Sequence, residues 1–198
     1  MVIYHGFEVT LRFIISCKRT RNPTALFIMA RKVVIYVATS LDGYIAGPNI
    51  VEKPGEDYGY ADFVKTIDTA ILGRKTYDWV MKNMAAFPHA ERTAYVITRT
   101  PRPSVGTTHF YTGSLPELVA KLKNEPGKDI FVDGGSEVVY ELLKNKLVEE
   151  FVVSIIPILL GGGVRLFKEG FAEQQLTLLS SKQFETGLVQ IHYKLKEM

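Results

Sequence analysis

The sequence predicts an α/β protein with a mostly parallel sheet and an antiparallel edge, and three observations carry that prediction. Short apolar, β-branched runs at 32–39, 69–72, 93–98 and 129–133 alternate with helix-periodic stretches, the pattern of strand–helix–strand units. The chain then closes with two strand-like arms, 176–184 and 188–195, around Glu185-Thr186-Gly187. The second arm alternates strictly, Val189, Ile191, Tyr193 and Leu195 against Gln190, His192 and Lys194, as a hairpin strand with one drier face does.

Each element has its own warrant. Lys32–Thr39 (KVVIYVAT) is continuous enough for a strand buried on both faces, and Ser40-Leu41-Asp42-Gly43 supplies a turn after it. A polar, glycine-rich loop runs to about Gly59, a length that is often functional in compact domains. A short helix through Asp62, Phe63, Val64 and Ile67 leads to Thr69-Ala70-Ile71-Leu72, a buried strand ended by Gly73. A helix from Arg74 to about Met84 should bury Tyr77, Val80, Met81 and Met84, with Trp79 in packing rather than chemistry. Thr93–Thr98 and Thr108–Tyr111 read as strands. Ser114-Leu115-Pro116-Glu117 has capping-box spacing with proline in the first turn and opens a helix to about Lys123. Asp129–Asp133 is a short buried strand, and Gly134-Gly135-Ser136-Glu137 opens a helix to Lys144 that packs Val138, Val139, Leu142 and Leu143. Val148–Leu160 is an apolar strand with Pro157 near its end, followed by Gly161-Gly162-Gly163.

Composition narrows the function classes. The 198 residues are 46% hydrophobic and 23% charged, enough for one sizeable core. A net charge of +3 suits a phosphorylated small molecule and lacks the concentrated basic face of a nucleic-acid binder. One cysteine, Cys17, rules out an internal disulfide framework and fits a reducing, cytoplasmic setting. No apolar run approaches the roughly 20 residues that span a bilayer. The histidines at 5, 89, 109 and 192 are scattered with no metal-ligand spacing, so no metal is expected. Residues 1–28 hold Arg12, Lys18, Arg19 and Arg21 against the single acid Glu8; Phe13-Ile14-Ile15 is too short an apolar centre for a secretory signal, and an organelle transit peptide is the weaker alternative reading. They read as an N-terminal extension, with Met29 as a natural start and 29–198 as the domain.

Three strand ends point to one kind of ligand. Gly73-Arg74-Lys75-Thr76, Thr98-Arg99 and Gly134-Gly135-Ser136-Glu137 each follow a strand, and parallel strands share the edge where ligands bind. Two helix N-termini with glycine turns, plus arginine and lysine, match a pyrophosphate and a phosphate monoester, the needs of a dinucleotide with a 2′-phosphate. Neither GxGxxG after a strand nor GxxxxGK[ST] is present, which excludes the usual dinucleotide fingerprint and a P-loop.

These stretches carry a resemblance. ATSLDGYIAG (38–47), DTAILGRKTY (68–77), YVITR (95–99), IFVDGGSEVVY (130–140) and PILLGGGVRLF (157–167) resemble, in order, the dihydrofolate reductase-like superfamily. The likeness is strongest to the branch that includes the reductase domain of riboflavin biosynthesis. It implies a three-layer fold, a homodimer and an NADPH-dependent reductase of a small heterocycle. The best single name is a 5-amino-6-(5-phosphoribosylamino)uracil reductase-like enzyme, with dihydrofolate reductase as the enzymatic alternative. By that resemblance Gly73, Arg74, Lys75 and Thr76 hold the adenosine-side phosphates, and Thr98 and Arg99 the 2′-phosphate. Gly134, Gly135, Ser136 and Glu137 lie against the pyrophosphate, Ala38 meets the nicotinamide amide, and Ser40–Ala46 resembles the mobile loop over the reacting rings. The Asp-x-Pro-x-Leu stretch of the riboflavin-pathway enzymes is replaced by TYDWVMKNM (76–84), so its substrate contacts are not carried over.

A reduction also needs a proton, for which a carboxylate is the natural carrier. Asp57 is the first candidate and Asp42 the second, although Asp42 reads first as the residue that fixes the Ser40–Gly43 turn through a local side-chain bond. Ser40, Gly43, Leu160, Gly161 and Gly162 are candidate substrate contacts; Gly161–Gly163 either admits a substrate closely or makes a tight bend. A protein of another class, binding NADP without turnover, remains the rival reading.

Overall fold

A computed structural model describes residues 31–46 and 57–196. The N-terminal extension, Met29, Cys17 and most of the polar loop lie outside the described residues. Ten strands and four helices follow in chain order: β1 Val33–Ser40, β2 Tyr44–Ala46, α1 Tyr60–Phe63, β3 Ile67–Gly73, α2 Arg74–Asn83, β4 Thr93–Ile97 and β5 Thr108–Tyr111. Then come α3 Leu115–Lys123, β6 Asp129–Gly134, α4 Ser136–Lys144, β7 Glu150–Ile156, β8 Val164–Arg165, β9 Leu176–Gln183 and β10 Val189–Leu195.

Eight strands form one sheet in the order β5-β4-β3-β6-β1-β7-β10-β9. The first six are parallel, and the β9–β10 hairpin adds the antiparallel edge along β7. Helices cover both faces. Leucines and valines of α3 and α4 pack with Val33, Ile35, Ile71 and Val132 on one face. Tyr60 and Phe63 of α1 pack with Tyr36, Ile67 and Phe131 on the other. Phe87, just past α2, joins that second face through His89 and Phe131. Connections running outward from β1 thus use one face and those returning use the other, as right-handed crossovers require.

Strand pairing makes an opening beside β1. Its pairing with β6 stops at Ile35 opposite Val132, while its pairing with β7 continues to Ser40 opposite Ile156. Beyond Ile35 the β6 side of β1 therefore has no strand alongside it. The sheet is split there at the carboxyl ends of its two central strands, where open α/β sheets bind ligands.

Several expectations are corrected. Of the face expected for α2 only Val80 is buried; Met81 and Met84 are about half exposed, and Trp79 is 62% exposed rather than packed. The helix is covered over little of its circumference, so its apolar residues exceed what the sheet can bury. Ile67 starts β3 instead of ending α1, and β7 stops at Ile156, before the N–H that Pro157 lacks. Gln190, placed by alternation on the wetter face, is buried; its Nε2 lies 3.0 Å from Ser154 Oγ and 3.1 Å from Tyr58 O. Both faces of β10 are covered there, by the segment at Tyr58 as well as by the main core. The small β2–β8 sheet was not foreseen, because two strands of three and two residues carry no periodicity.

Candidate functional site

The two glycine-led turns meet. A Cβ at Gly73 would lie 3.7 Å from Gly135 N and 3.9 Å from Gly134 O, and one at Gly135 would lie 3.3 Å from Thr76 Oγ1. Gly73 and Gly135 are the N-caps of α2 and α4, and neither helix has a side-chain cap, so the first N–H groups of both are left for another acceptor. Gly134 has φ +91°, which a side chain would strain, and the Gly134–Gly135 peptide is cis.

Charge converges on the same place. Glu137, in the first turn of α4, has its pKa lowered by a hydrogen bond from Lys168 at 2.5 Å, with Arg99 and Lys75 adding attraction. β3 pairs in parallel with both β4 and β6, so the Thr98–Arg99 strand end lies on the same sheet edge as the two helix starts. Lys75 and Arg99 are exposed, whereas Arg74 is engaged by Asp78 at 2.5 Å, and Arg102 reaches the same carboxylate at 3.1 Å. The hydroxyl of buried Thr98 is taken up locally, accepting from Thr100 N at 3.1 Å and closing the turn that aims Arg99. Ser136 is buried in the first turn of α4. Lys168 is a cation that no motif announced.

Ala38 lies on β1 opposite Ser154 of β7, in the stretch that β6 leaves uncovered. The substrate-loop candidates are also drawn together, through Asp42. Its Oδ1 accepts from Ser40 Oγ at 2.6 Å and from Leu160 N at 3.1 Å, and its Oδ2 accepts from Gly161 N at 2.7 Å. The Ser40 hydroxyl, then the Leu160 and Gly161 amides, lower the Asp42 pKa to about 2. A carboxylate held so firmly in its ionised form is a clamp between the β1–β2 turn and the 160–161 loop, and a poor source of protons. Gly161 has φ +66°, the left-handed backbone of a tight bend, and a Cβ at Gly161 or Gly162 would meet open space. Asp57 caps α1: Oδ1 accepts from Gly59 N, and Oδ2 from Ala61 N at 3.2 Å. Both its oxygens are occupied, and the side chain stands in solvent.

The opening holds another carboxylate. Asp133 ends the apolar run of β6 immediately before Gly134, and its side chain is 30% exposed. Its contact with His89, whose ring packs on Phe131, puts it on the α1 face. His89 Nε2 lies 3.0 Å from Asp133 Oδ2, and the ring is 1% exposed between Phe87 and Phe131. A carboxylate only accepts, so Nε2 carries the proton and donates, and Nδ1 is left buried with no partner. Asp133 Oδ1 has no hydrogen-bond partner among the described residues. Motif reading passed over this pair because its members stand 44 residues apart. The one available signal was a lone charge at the crevice end of a buried strand.

The RibD C-terminal domain family model matches residues 31–190. The chain belongs to that family. It is 41% identical over 173 residues to the uncharacterized protein YwjB of Bacillus subtilis (strain 168), covering 83% of this chain and 98% of that one. A Shewanella sp. PV-4 protein provisionally named for riboflavin biosynthesis superposes with a TM-score of 0.72 at 27% identity, over 84% of this chain and 99% of that one. Dihydrofolate reductase from Enterococcus faecalis, solved with NADP(H) and the ligand RAB-propyl, superposes at 0.62 with 19% identity, over 84% and 97%. That last likeness shows the fold. No helix among the described residues is long and apolar enough to cross a membrane.

Proposed function

We propose that this chain is an NADPH-dependent reductase of a small heterocycle, of the 5-amino-6-(5-phosphoribosylamino)uracil reductase type. The observation that carries it is the meeting of Gly73 and Gly135 beside Thr76, with Lys75 and Arg99 close enough to act on Glu137. The residues fit the cofactor: two uncapped helix starts face one another across glycines, and a Cβ at Gly135 would press on Thr76. Arg99 and Lys75 would hold the 2′-phosphate side, the turns of Gly73–Thr76 and Gly134–Glu137 the diphosphate, and Ala38 the carboxamide end. NADPH supplies the hydride when bound.

The chain's own work is to orient the substrate, exclude water and deliver a proton. Substrate lies on the α1 face of the β1–β6 opening, against Asp133. Its unpaired Oδ1 accepts an N–H of the heterocycle, or takes up a proton from solvent water and passes it to the reduced atom, while His89 holds Oδ2. We assign the proton to Asp133 in place of Asp57 and Asp42, whose oxygens are committed to α1 and to the 160–161 loop. Asp42 keeps the β1–β2 turn closed over the site.

NADPH consumption followed at 340 nm tests this reading. Oxidation with the ribosylaminopyrimidine and none with dihydrofolate is the expected result. Oxidation with dihydrofolate alone would make the chain a dihydrofolate reductase. Tight NADPH binding with no turnover across pterin, pyrimidine and carbonyl substrates would establish the non-catalytic reading.

A further inference from the structure

The largest apolar side chain that α2 leaves in solvent borders the split in the sheet. Trp79, the only tryptophan of the chain, is 62% exposed. Its direction follows from what surrounds the helix. Thr76 faces the Gly134–Gly135 turn, since a Cβ at Gly135 would lie 3.3 Å from its Oγ1. Asp78 turns the other way, to Arg102 at 3.1 Å, and the Tyr77 ring meets Phe110 of β5 at 5.2 Å. Residues three and four apart share a helix face, so Trp79 and Asn83 continue the Thr76 face, on the β6 side of α2.

Depth along the helix agrees. α2 runs back along the sheet after Gly73, because the strands it joins, β3 and β4, are parallel. Trp79 is three residues beyond Thr76, about 4.5 Å down the helix axis. Asp133 is two residues before Gly135, about 6.6 Å down β6. The indole therefore flanks the end of β6 where Asp133 keeps its open Oδ1. On the far side stands Phe63 of α1, stacked on Tyr36 with ring centroids 4.4 Å apart. Single exposed apolar residues are ordinary on protein surfaces, but this one stands at the rim of a groove that already holds an unpaired acceptor. Val80 carries the packing of α2, so the indole adds nothing to the core.

We infer that Trp79 is the substrate-stacking residue of this site, its indole covering one face of the heterocycle whose edge Asp133 reads. This role rests on the proposed reductase reading and adds a substrate class to it: a flat nitrogen heterocycle with N–H groups on its edge, in place of an aliphatic carbonyl compound. Such a ring offers its face to a π-system and its edge to an acceptor, the two groups that this groove presents. Trp79 stands within TYDWVMKNM (76–84), the stretch that replaces the Asp-x-Pro-x-Leu substrate contacts. Where those enzymes use that stretch, this chain grips by stacking.

A single tryptophan lets the site report on itself. The full-length protein is titrated with 5,6-diaminouracil in saturating NADP+, and tryptophan emission is followed beside calorimetry. The ring should quench the emission as it binds, whereas NADP+ alone or ribose 5-phosphate should leave it nearly unchanged. Trp79→Ala should weaken 5,6-diaminouracil by about tenfold, the worth of one base–aromatic stack, while Trp79→Phe keeps its affinity within about threefold. In the reductase assay Trp79→Ala should raise KM for the ribosylaminopyrimidine by about tenfold and leave kcat within about twofold, the reverse of the pattern for Asp133→Asn. Thermal melts confirm that each variant is folded. Binding of the ring without quenching, no binding of the ring, quenching by NADP+ alone, or unchanged affinity in Trp79→Ala would each overturn the inference. Normal quenching with no NADPH oxidation would instead sink the reductase reading and leave Trp79 in its role, so the two fail separately.

Discussion

The two sides of the β1–β6 opening are built differently. At the carboxyl ends of β3, β4 and β6, each part of the proposed cofactor cradle is a contiguous stretch: Gly73–Thr76, Thr98–Arg99 and Gly134–Glu137. On the α1 face the wall is assembled from single residues of separate elements, Tyr36, Phe63, His89, Phe131 and Asp133, linked by ring contacts and one hydrogen bond. A phosphate is gripped by backbone N–H groups, whose position follows from local chain geometry. A heterocycle is gripped by side chains, whose position follows from packing. The first kind of site leaves a motif, and the second leaves only scattered residues.

This contrast can be broken at either side. The largest effect is expected for Gly135→Val, where the new side chain meets Thr76: NADPH binding should fall by about a hundredfold or more, as loss of several charge-assisted hydrogen bonds implies. Calorimetry on a variant that still melts cooperatively checks it, and unchanged affinity would remove the double-glycine turn from the cradle. Asp133→Asn should lower kcat by about 10²–10⁴-fold, the range for a general acid, with NADPH affinity untouched. A parallel loss of cofactor binding would mean that the two walls are not separable. His89→Gln, which keeps a donor for Asp133, should cost far less turnover than His89→Leu.

Arg99→Ala should weaken NADPH by about tenfold or more while leaving NADH within about twofold, since one charge-assisted contact to the monoester is lost. Equal losses for both cofactors would move Arg99 away from the 2′-phosphate. A smaller effect belongs to the Asp42 clamp. Its folded pKa lies near 2, below the ordinary value of 3.8, so its stabilisation is full above about pH 4 and fades as pH falls toward 2. Amide exchange at Leu160 and Gly161 should accelerate through that window in the native protein and be insensitive to it in Asp42→Asn. Smallest of all, Trp79→Phe should change stability by no more than about 0.5 kcal/mol, as for exposed surface positions, which a thermal melt can verify.

Much of the fold was legible because its signals are local. The run IFVDG could only be a short buried strand, and the helix from Ser136 buries the residues its periodicity marks, Val138, Val139, Leu142 and Leu143. Ser114 does accept a hydrogen bond from Glu117 N, as the capping spacing predicts. Where reading failed, a neighbour far along the chain decided the outcome. Trp79 and Met81 look like core residues until it is seen that nothing among the described residues covers that side of α2. Gln190 looks like a surface residue until Ser154 and Tyr58 enclose it.

The sequence by itself determined the strand and helix order, the three glycine- and arginine-bearing turns at the strand ends and their family, because glycine, threonine and arginine act there through backbone geometry within a few residues. Only the tertiary structure decided which carboxylate is free. Asp42, Asp57 and Asp133 are alike in composition, and each follows or precedes a turn. Two of them are spent on amides of the 160–161 loop and of α1, and the third keeps an open oxygen at the split between β1 and β6. That difference is set by hydrogen-bond partners brought in from elsewhere in the chain, which no local pattern records.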